Sequence, residues 1–475
     1  MSSKVNYENK NNILEDVIYR PISTNKQEKN GSSLYFYVTV FIVLLVTFSG
    51  GASFTWTSPV LPKLETKNQN PLSEPITTSQ GSLITGMLSL GGVFGTFIAG
   101  WLLDRFGRKI TLLSIALPFF CTFVALAFAR YVEVFYVVRF IQGLSIGGIF
   151  SFVPIYLGEI SDKNNRGMIG CLFMVSISCG VLSSYVIGPH LSVKTFSLFY
   201  SVPLLVFLVL YKVLPESPLY LATIGDKVKA KRMLMKLRSK NIEKEFIETC
   251  IFCEENTGSF KDVFKTKSLR RAFFIIAVII NLQNLSGITV ILAYTQSIFK
   301  VTDKYMSPSI TPIILGLNKA VFTIISSSVV DRFGRKILLI ISISTCCVSH
   351  ILLATFFTLQ NHYSLSHISW LPIVGLLSYI TGYSLGLSPI PYVLLGEIFP
   401  TNVKFPASSL INCFSFISGF VTVFVFPFMM NSIGLAAPFW LFAVVCLLGL
   451  VFISFYVFET KGLSFLEISE VLKEN

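Results

Sequence analysis

The sequence predicts an all-α integral membrane protein of about twelve spans, arranged as two pseudo-symmetric six-helix halves with short helices between them. Three observations carry that expectation. Hydrophobic residues make up 53% of the 475-residue chain and charged residues only 13%, with a mean hydropathy of +0.69; a soluble domain carries roughly twice that charged fraction. Apolar stretches of bilayer length recur along the chain, and one long polar stretch divides them into two sets. The hexapeptide Asp-Arg-Phe-Gly-Arg-Lys occurs twice, at 104–109 and 331–336, each time between apolar runs.

The elements follow in order. A polar tail, 1–33, lacks an apolar region ahead of a small-residue cleavage site. No removable signal peptide is expected, and the first span serves as its own insertion signal. The first half, 34–213, holds spans near 35–58, 82–102, 110–129, 134–157, 166–188 and 195–213. The polar stretch 214–271, rich in Lys and Glu, reads as short amphipathic helices on the membrane surface. The second half, 272–457, holds spans near 272–298, 308–329, 337–359, 370–395, 405–429 and 434–457, and a tail, 458–475, ends the chain.

Charge orients these spans. Lys and Arg number 38 against 25 Asp and Glu, a net charge of +13. The surplus gathers in the loops after the second and fourth spans and in the central stretch; on the other side Lys63 and Lys67 are offset by Glu65 and Glu74. The bias that keeps cytosolic loops basic places the hexapeptides, the central stretch and both termini in the cytosol, and a multi-pass plasma-membrane location is expected. No aromatic-basic groove accompanies the charge, so nucleic acid is not an expected partner. The nine cysteines fall in spans or cytosolic loops, which implies no disulfide framework. Cys250 and Cys253 form a lone C-x-x-C read as two ordinary cysteines, and the Asn30 glycosylation sequon lies on the wrong side to be used. His190, His350, His362 and His367 have no metal-ligand spacing, and neither a metal nor a cofactor is expected.

The repeat extends past the hexapeptide. Glu159 stands seven residues before Arg166, and Glu397 seven before Lys404, in the same order within each half. Gly107 and Gly334 permit a tight turn between spans. Asp104 and Asp331 can accept hydrogen bonds from helix-end amides. Arg105, Arg108, Arg332 and Arg335 are forked donors suited to carboxylates on a neighbouring helix end, and Glu159 and Glu397 are their natural partners.

Further motifs fall in a fixed order: RFIQGLSIG (139–147), PIYLGEIS (154–161), PESP (215–218), QNLSGI (283–288), PIPYVLLGEIFP (389–400) and FETKG (458–462). With them the chain resembles the sugar porter family of the major facilitator superfamily over nearly its whole length, and within it the insect facilitated trehalose transporters and their relatives. The resemblance implies a twelve-span, alternating-access carrier that acts as a monomer, with a central sugar site. It also implies that Arg105, Arg108, Glu159, Arg166, Arg332, Arg335 and Glu397 form a cytosolic latch, with Glu216 and Glu459 as further partners. Lys404 stands where the family has Arg and loses the fork, so a looser latch is expected in the second half.

A sugar site needs amides and hydroxyls at the midplane with aromatic faces nearby. The seventh span offers Gln283, Asn284 and Thr289, with a helix-weakening Ser286–Gly287; the eighth offers Asn318 and the tenth Tyr392. Helix packing is the alternative role for each. The family pattern is altered at Asn284, Thr289, Tyr392, Met174 and Ser415-Phe416, which leaves the sugar open among trehalose, hexoses and polyols. Proton-driven relatives place an Asp in the first span, whereas TFSGGASFTWTSPVLP (47–62) has no acid and puts Ser53 near that position. Facilitated diffusion is therefore expected over proton coupling. A non-transporting sugar receptor on the same fold is the rival reading, which the altered binding residues would fit, although the long signalling tail expected of some such receptors is missing, since the chain ends soon after Phe458. The GLSIG at 143–147 matches a hydrolase nucleophile motif but sits inside an apolar span, where small residues serve helix packing.

Overall fold

The computed structural model describes residues 33–66, 70–162, 165–238, 242–243, 246–247, 262–300, 310–360, 362–363, 366–368, 370–399 and 401–461. Within helices, the side chains of Asp104, Arg166, Asp331 and Lys404 lie outside the described residues, as do Asn30, Cys250 and Cys253.

Among the described residues, twelve helical segments are long and apolar enough to cross a bilayer. They are Leu34–Leu64, Thr78–Leu103, Arg108–Phe128, Val132–Ile160, Met168–Ile187, Val193–Val213, Lys267–Ile298, Ile310–Val330, Arg335–Gln360, Leu371–Ile398, Pro406–Ser432 and Ala436–Tyr456. All twelve expected spans are present. The first runs on to Leu64 and the seventh starts at Lys267, each a turn or more beyond the apolar run. At the seventh, Thr266 caps the helix by accepting from Leu269 N, so a basic turn of Lys267, Arg270 and Arg271 joins it.

The body comprises the described residues within 40–214 and 262–461. Its two halves repeat one packing scheme. The third span packs on the sixth as the ninth does on the twelfth, and the second packs on the fourth as the eighth does on the tenth. The halves meet where the second span lies against the eleventh and the fifth against the eighth. Helix Thr57–Leu64 of the first span also meets helix Ile288–Lys300 of the seventh.

The hexapeptides end the second and eighth spans, six crossings apart, and so share one face of the bundle. Gly107 (φ +81) and Gly334 (φ +87) make the single-residue breaks to the next helices, in the left-handed region only glycine enters freely.

Among the described residues, 33–39, 215–238, 242–243 and 246–247 form a second unit. Its helices Pro218–Thr223 and Lys227–Leu237 share a small core of Leu221, Ala222, Ala230 and Leu234 with Ile242 and Phe246. Asp226 caps the second helix by accepting from Lys229 N. Within this unit the Ser33 hydroxyl donates to the Lys236 carbonyl at 2.6 Å.

Candidate functional site

Two helix breaks bring polar groups to the middle of the bundle. The seventh span is interrupted at Ser286–Gly287, where Gly287 has φ +93 and a Cβ would stand 2.7 Å from the Phe442 ring. The tenth span passes through a π-turn at Tyr383–Leu387, whose wider winding leaves carbonyls unclaimed by the helix. Gln283 Nε2 donates to the Leu387 and Ser388 carbonyls at 2.6 and 3.3 Å. The two broken spans are thereby stitched together.

Beside that stitch, between the halves, lies a cavity of about 100 Å³. Phe54, Ser89, Phe150 and Met174 line it from the first half; Gln283, Asn284, Thr289, Lys319, Tyr383 and Tyr392 line it from the second, with Asn412 and Ser415. Ligand pockets usually exceed ~300 Å³, so the lining helices must part to admit a solute. Asn284 Nδ2 donates to the Ser415 carbonyl (2.8 Å) and hydroxyl (2.7 Å) on the eleventh span. The Thr289 hydroxyl is buried at the cavity with no hydrogen-bond partner among the described residues. Tyr392 faces Phe150 across the halves, ring centroids 6.3 Å apart.

Four of the five sequence-picked solute residues thus line one cavity. Asn318 does not. Its amide donates to the Leu377 carbonyl (2.9 Å) and to Thr381 Oγ1 (3.0 Å), joining the eighth span to the tenth. Its neighbour Lys319 takes the cavity position. Sequence reading passed over Lys319, although a lone ammonium in an apolar span is itself a signal. A wider groove of about 620 Å³, lined by Lys267, Arg270, Arg271, Phe274 and Tyr456, opens at the basic end of the seventh span, away from this polar centre.

Arg139 in the fourth span is wholly buried. Its Nη1 donates to the Ser53 carbonyl (3.0 Å), Ser53 Oγ (3.3 Å) and Gln142 Oε1 (2.6 Å), and its guanidinium lies 5.5 Å from the Trp56 ring centroid. Among the described residues this charge is met by dipoles and a π face, with no carboxylate. Ser53, read from sequence as the neutral stand-in for a proton-carrying Asp, is the residue beside it.

The hexapeptides act as brackets. In the first half Arg108 grips Glu159 through two parallel bonds, Nε to Oε2 at 2.9 Å and Nη2 to Oε1 at 2.8 Å. In the second, Arg335 reaches Glu397 Oε1 through Nη2 at 2.8 Å, while Thr460 Oγ1 donates to Glu397 Oε2 at 2.6 Å. Lys109 Nζ donates to the Lys212 carbonyl at the end of the sixth span, and Lys336 Nζ to the Ser454 carbonyl near the end of the twelfth. Both described Arg–Glu pairs join helix ends of one half.

Glu459 takes a different role. It accepts from the main-chain N–H groups of Arg335 (2.9 Å), Lys336 (3.0 Å), Thr460 (3.1 Å) and Lys461 (3.0 Å), capping the ninth span. Burial pushes its carboxyl up, but the N–H donors of Arg335, Lys461, Lys336 and Thr460 together outweigh that and hold it below its ordinary range. Lys461 Nζ donates to the Arg332 carbonyl. Arg105 lies over the rings of Trp101 and Phe106, and Glu216 accepts from Ser217 N.

GLSIG is a packing seam. A Cβ on Gly143 would lie 2.2 Å from the Leu88 carbonyl oxygen, and one on Gly147 2.2 Å from that of Gly92. Ser145 Oγ donates to the Ile115 carbonyl, so this serine is a helix contact and no nucleophile.

A family model described as "Sugar (and other) transporter" matches residues 13–472. The chain is 32% identical over 426 residues to the facilitated trehalose transporter Tret1 of Culex quinquefasciatus, covering 88% of this chain and 82% of the relative. It is 30% identical over 462 residues to Tret1 of Polypedilum vanderplanki, covering 95% and 90%. Tret1 of Aedes aegypti is also 30% identical over 462 residues, which are 95% of this chain but only 56% of that longer relative. Among solved structures, the partially occluded inward-open xylose transporter XylE from E. coli matches with a TM-score of 0.76 at 22% identity, over 91% of this chain and all of that one. That likeness concerns the fold alone. With its matched length and its duplicated twelve-helix architecture, the chain belongs to the sugar transporter family of membrane carriers, and is not an enzyme.

Proposed function

We propose that the chain is a facilitative carrier that moves sugar-type solutes across the plasma membrane by alternating access. The observation that supports this reading most directly is the inter-half cavity, whose lining combines amides, hydroxyls and aromatic rings with one lysine and no carboxylate among its described residues. Trehalose, the solute in the relatives' name, and hexoses are the neutral sugars to test first. The cavity residues Gln283, Asn284, Thr289 and Tyr392 would contact the solute. Asn318 would act on it only through the span it positions. The Gln283 amide is spent on span ten's carbonyls in this arrangement, so a solute that displaces it would free the π-turn to move.

The rim brackets are the proposed latch, with the termini and the 214–271 stretch on the cytosolic side. Each bracket holds its half rigid, and rearrangement between the halves opens and closes the path. Uniport rather than proton symport is favoured by Ser53, since the hydroxyl that faces buried Arg139 has no proton to release and retake at physiological pH. The test is counterflow of labelled trehalose, glucose and sorbitol in proteoliposomes, with and without an imposed pH gradient. Gradient-insensitive uptake supports the proposal; sugar-evoked proton currents refute the uniport reading, and binding without flux refutes transport.

A further inference from the structure

Lys319 is the residue the carrier reading leaves unexplained. It lies in the eighth span, within the stretch IILGLNKAVFT, and is only 6% exposed. Its side chain lines the central cavity. Among the described residues Nζ makes no ion pair and no hydrogen bond. The one described contact of the ammonium is the face of Tyr383, 5.6 Å from the ring centroid. Among the described residues the cavity lining holds no Asp or Glu to neutralise it. An ammonium withdrawn from water and left without a counter-charge is costly, and a long charged chain could have snorkelled to a surface had it stood near one. This one is kept at the centre of the solute site.

We propose that Lys319 selects an anionic solute: a sugar acid or similar polyhydroxylated carboxylate, whose charge supplies the ammonium's missing partner. The hydroxyls of such a solute meet the groups that a neutral sugar would meet, namely the Thr289 hydroxyl that lacks a partner and the side chains of Asn284 and Tyr392. Its carboxylate meets Lys319 in a charge-assisted hydrogen bond, which a neutral sugar cannot form. The inference deepens the carrier reading and rests on it for the location of the site, while its own evidence is the unpaired charge.

The test uses the full chain. Purified protein is reconstituted, and uptake of labelled D-glucuronate, D-glucose and trehalose is compared for the native chain, Lys319→Asn and Lys319→Met; stabilisation of the same proteins in micelles by each solute is measured alongside. The expected result is a preference of about tenfold or more for glucuronate over glucose in the native chain, abolished in both variants. An inside-positive potential should also speed glucuronate entry. Equal or better uptake of neutral sugars by the native chain overturns the charge proposal and leaves the carrier reading standing. So does a glucuronate preference that survives in Lys319→Met. Stabilisation by glucuronate alone, lost in Lys319→Met and accompanied by no flux, upholds the charge proposal and overturns the carrier reading. Neither flux nor stabilisation overturns both.

Discussion

Replacing Gly334 with Ala tests the second-half bracket at its tightest point. The residue sits at φ +87, where a side chain costs about 1–2 kcal/mol. A Cβ there would also stand 2.6 Å from Glu459 Oε2, too close to coexist, and a retreat pulls the carboxylate off the N–H groups of Arg335 and Lys336. Expelling Glu459 exposes the start of the ninth span, and a lost helix cap costs about 0.5–2 kcal/mol. The sum is a loss of about 1.5–4 kcal/mol. Gly434→Ala is the control, with φ +105 and nothing within 4 Å of the added carbon; it should show only the backbone strain. Denaturant unfolding in micelles measures all three quantities needed: Gly334→Ala, Glu459→Gln and the double variant. Because the alanine already evicts the carboxylate, the double should cost about 1 kcal/mol less than the sum of the singles. Equal losses for Gly334→Ala and Gly434→Ala, or strict additivity in the double, would refute the coupling between this turn and the tail.

Three more outcomes are expected. Glu459 has its folded-state carboxyl held low, so its stabilisation is complete above the unfolded value of about 4.3 and is lost as pH falls through the lower folded value; unfolding curves of the native chain should weaken over that acidic window, and those of Glu459→Gln should not. Asn318→Leu should lower stability by about 1–3 kcal/mol, since it strands the Leu377 carbonyl and Thr381, with little change in solute KM, whereas Thr289→Val should leave unfolding nearly unchanged and raise KM; the two variants are separated by running both assays on each. Gly147→Ala should cost about 1–3 kcal/mol by forcing the second and fourth spans apart, while Ser145→Ala, which loses one hydrogen bond to Ile115, should keep its transport rate.

The spans were legible because bilayer thickness sets their length and apolar composition marks them. The turns at Gly107 and Gly334 were legible for a similar reason, since one residue between two helices forces an unusual backbone. Facing direction in the eighth span was legible only from spacing: Lys319, Thr323 and Ser326 stand at i, i+4 and i+7 and are all buried, and adjacent residues on a helix point about 100° apart. Asn318 was the chemically attractive choice, and that rotation gives the cavity to Lys319 and the helix interface to Asn318. The partner of a charge was legible in kind but not in address. Arg108 and Glu159 were matched by chemistry; that the match closes within a half depends on the hexapeptide turn lying beside the end of the fourth span, which is a fact of packing. Glu459 was expected to meet a guanidinium and meets main-chain N–H groups instead.

The glycine seam between the second and fourth spans has a mechanical consequence. Where Gly91 and Gly95 meet the carbonyls of Phe140 and Leu144, an added carbon would lie 2.0 and 2.1 Å away, so the two backbones mesh like closed gear teeth. Such a pair can neither slip lengthwise nor roll without collision. Whatever flexing one transport cycle demands is displaced onto helices that are already interrupted, the first at Trp56, the seventh at Ser286–Gly287 and the tenth at Tyr383–Leu387. The meshed pair is the anvil, and the interrupted helices supply the joints.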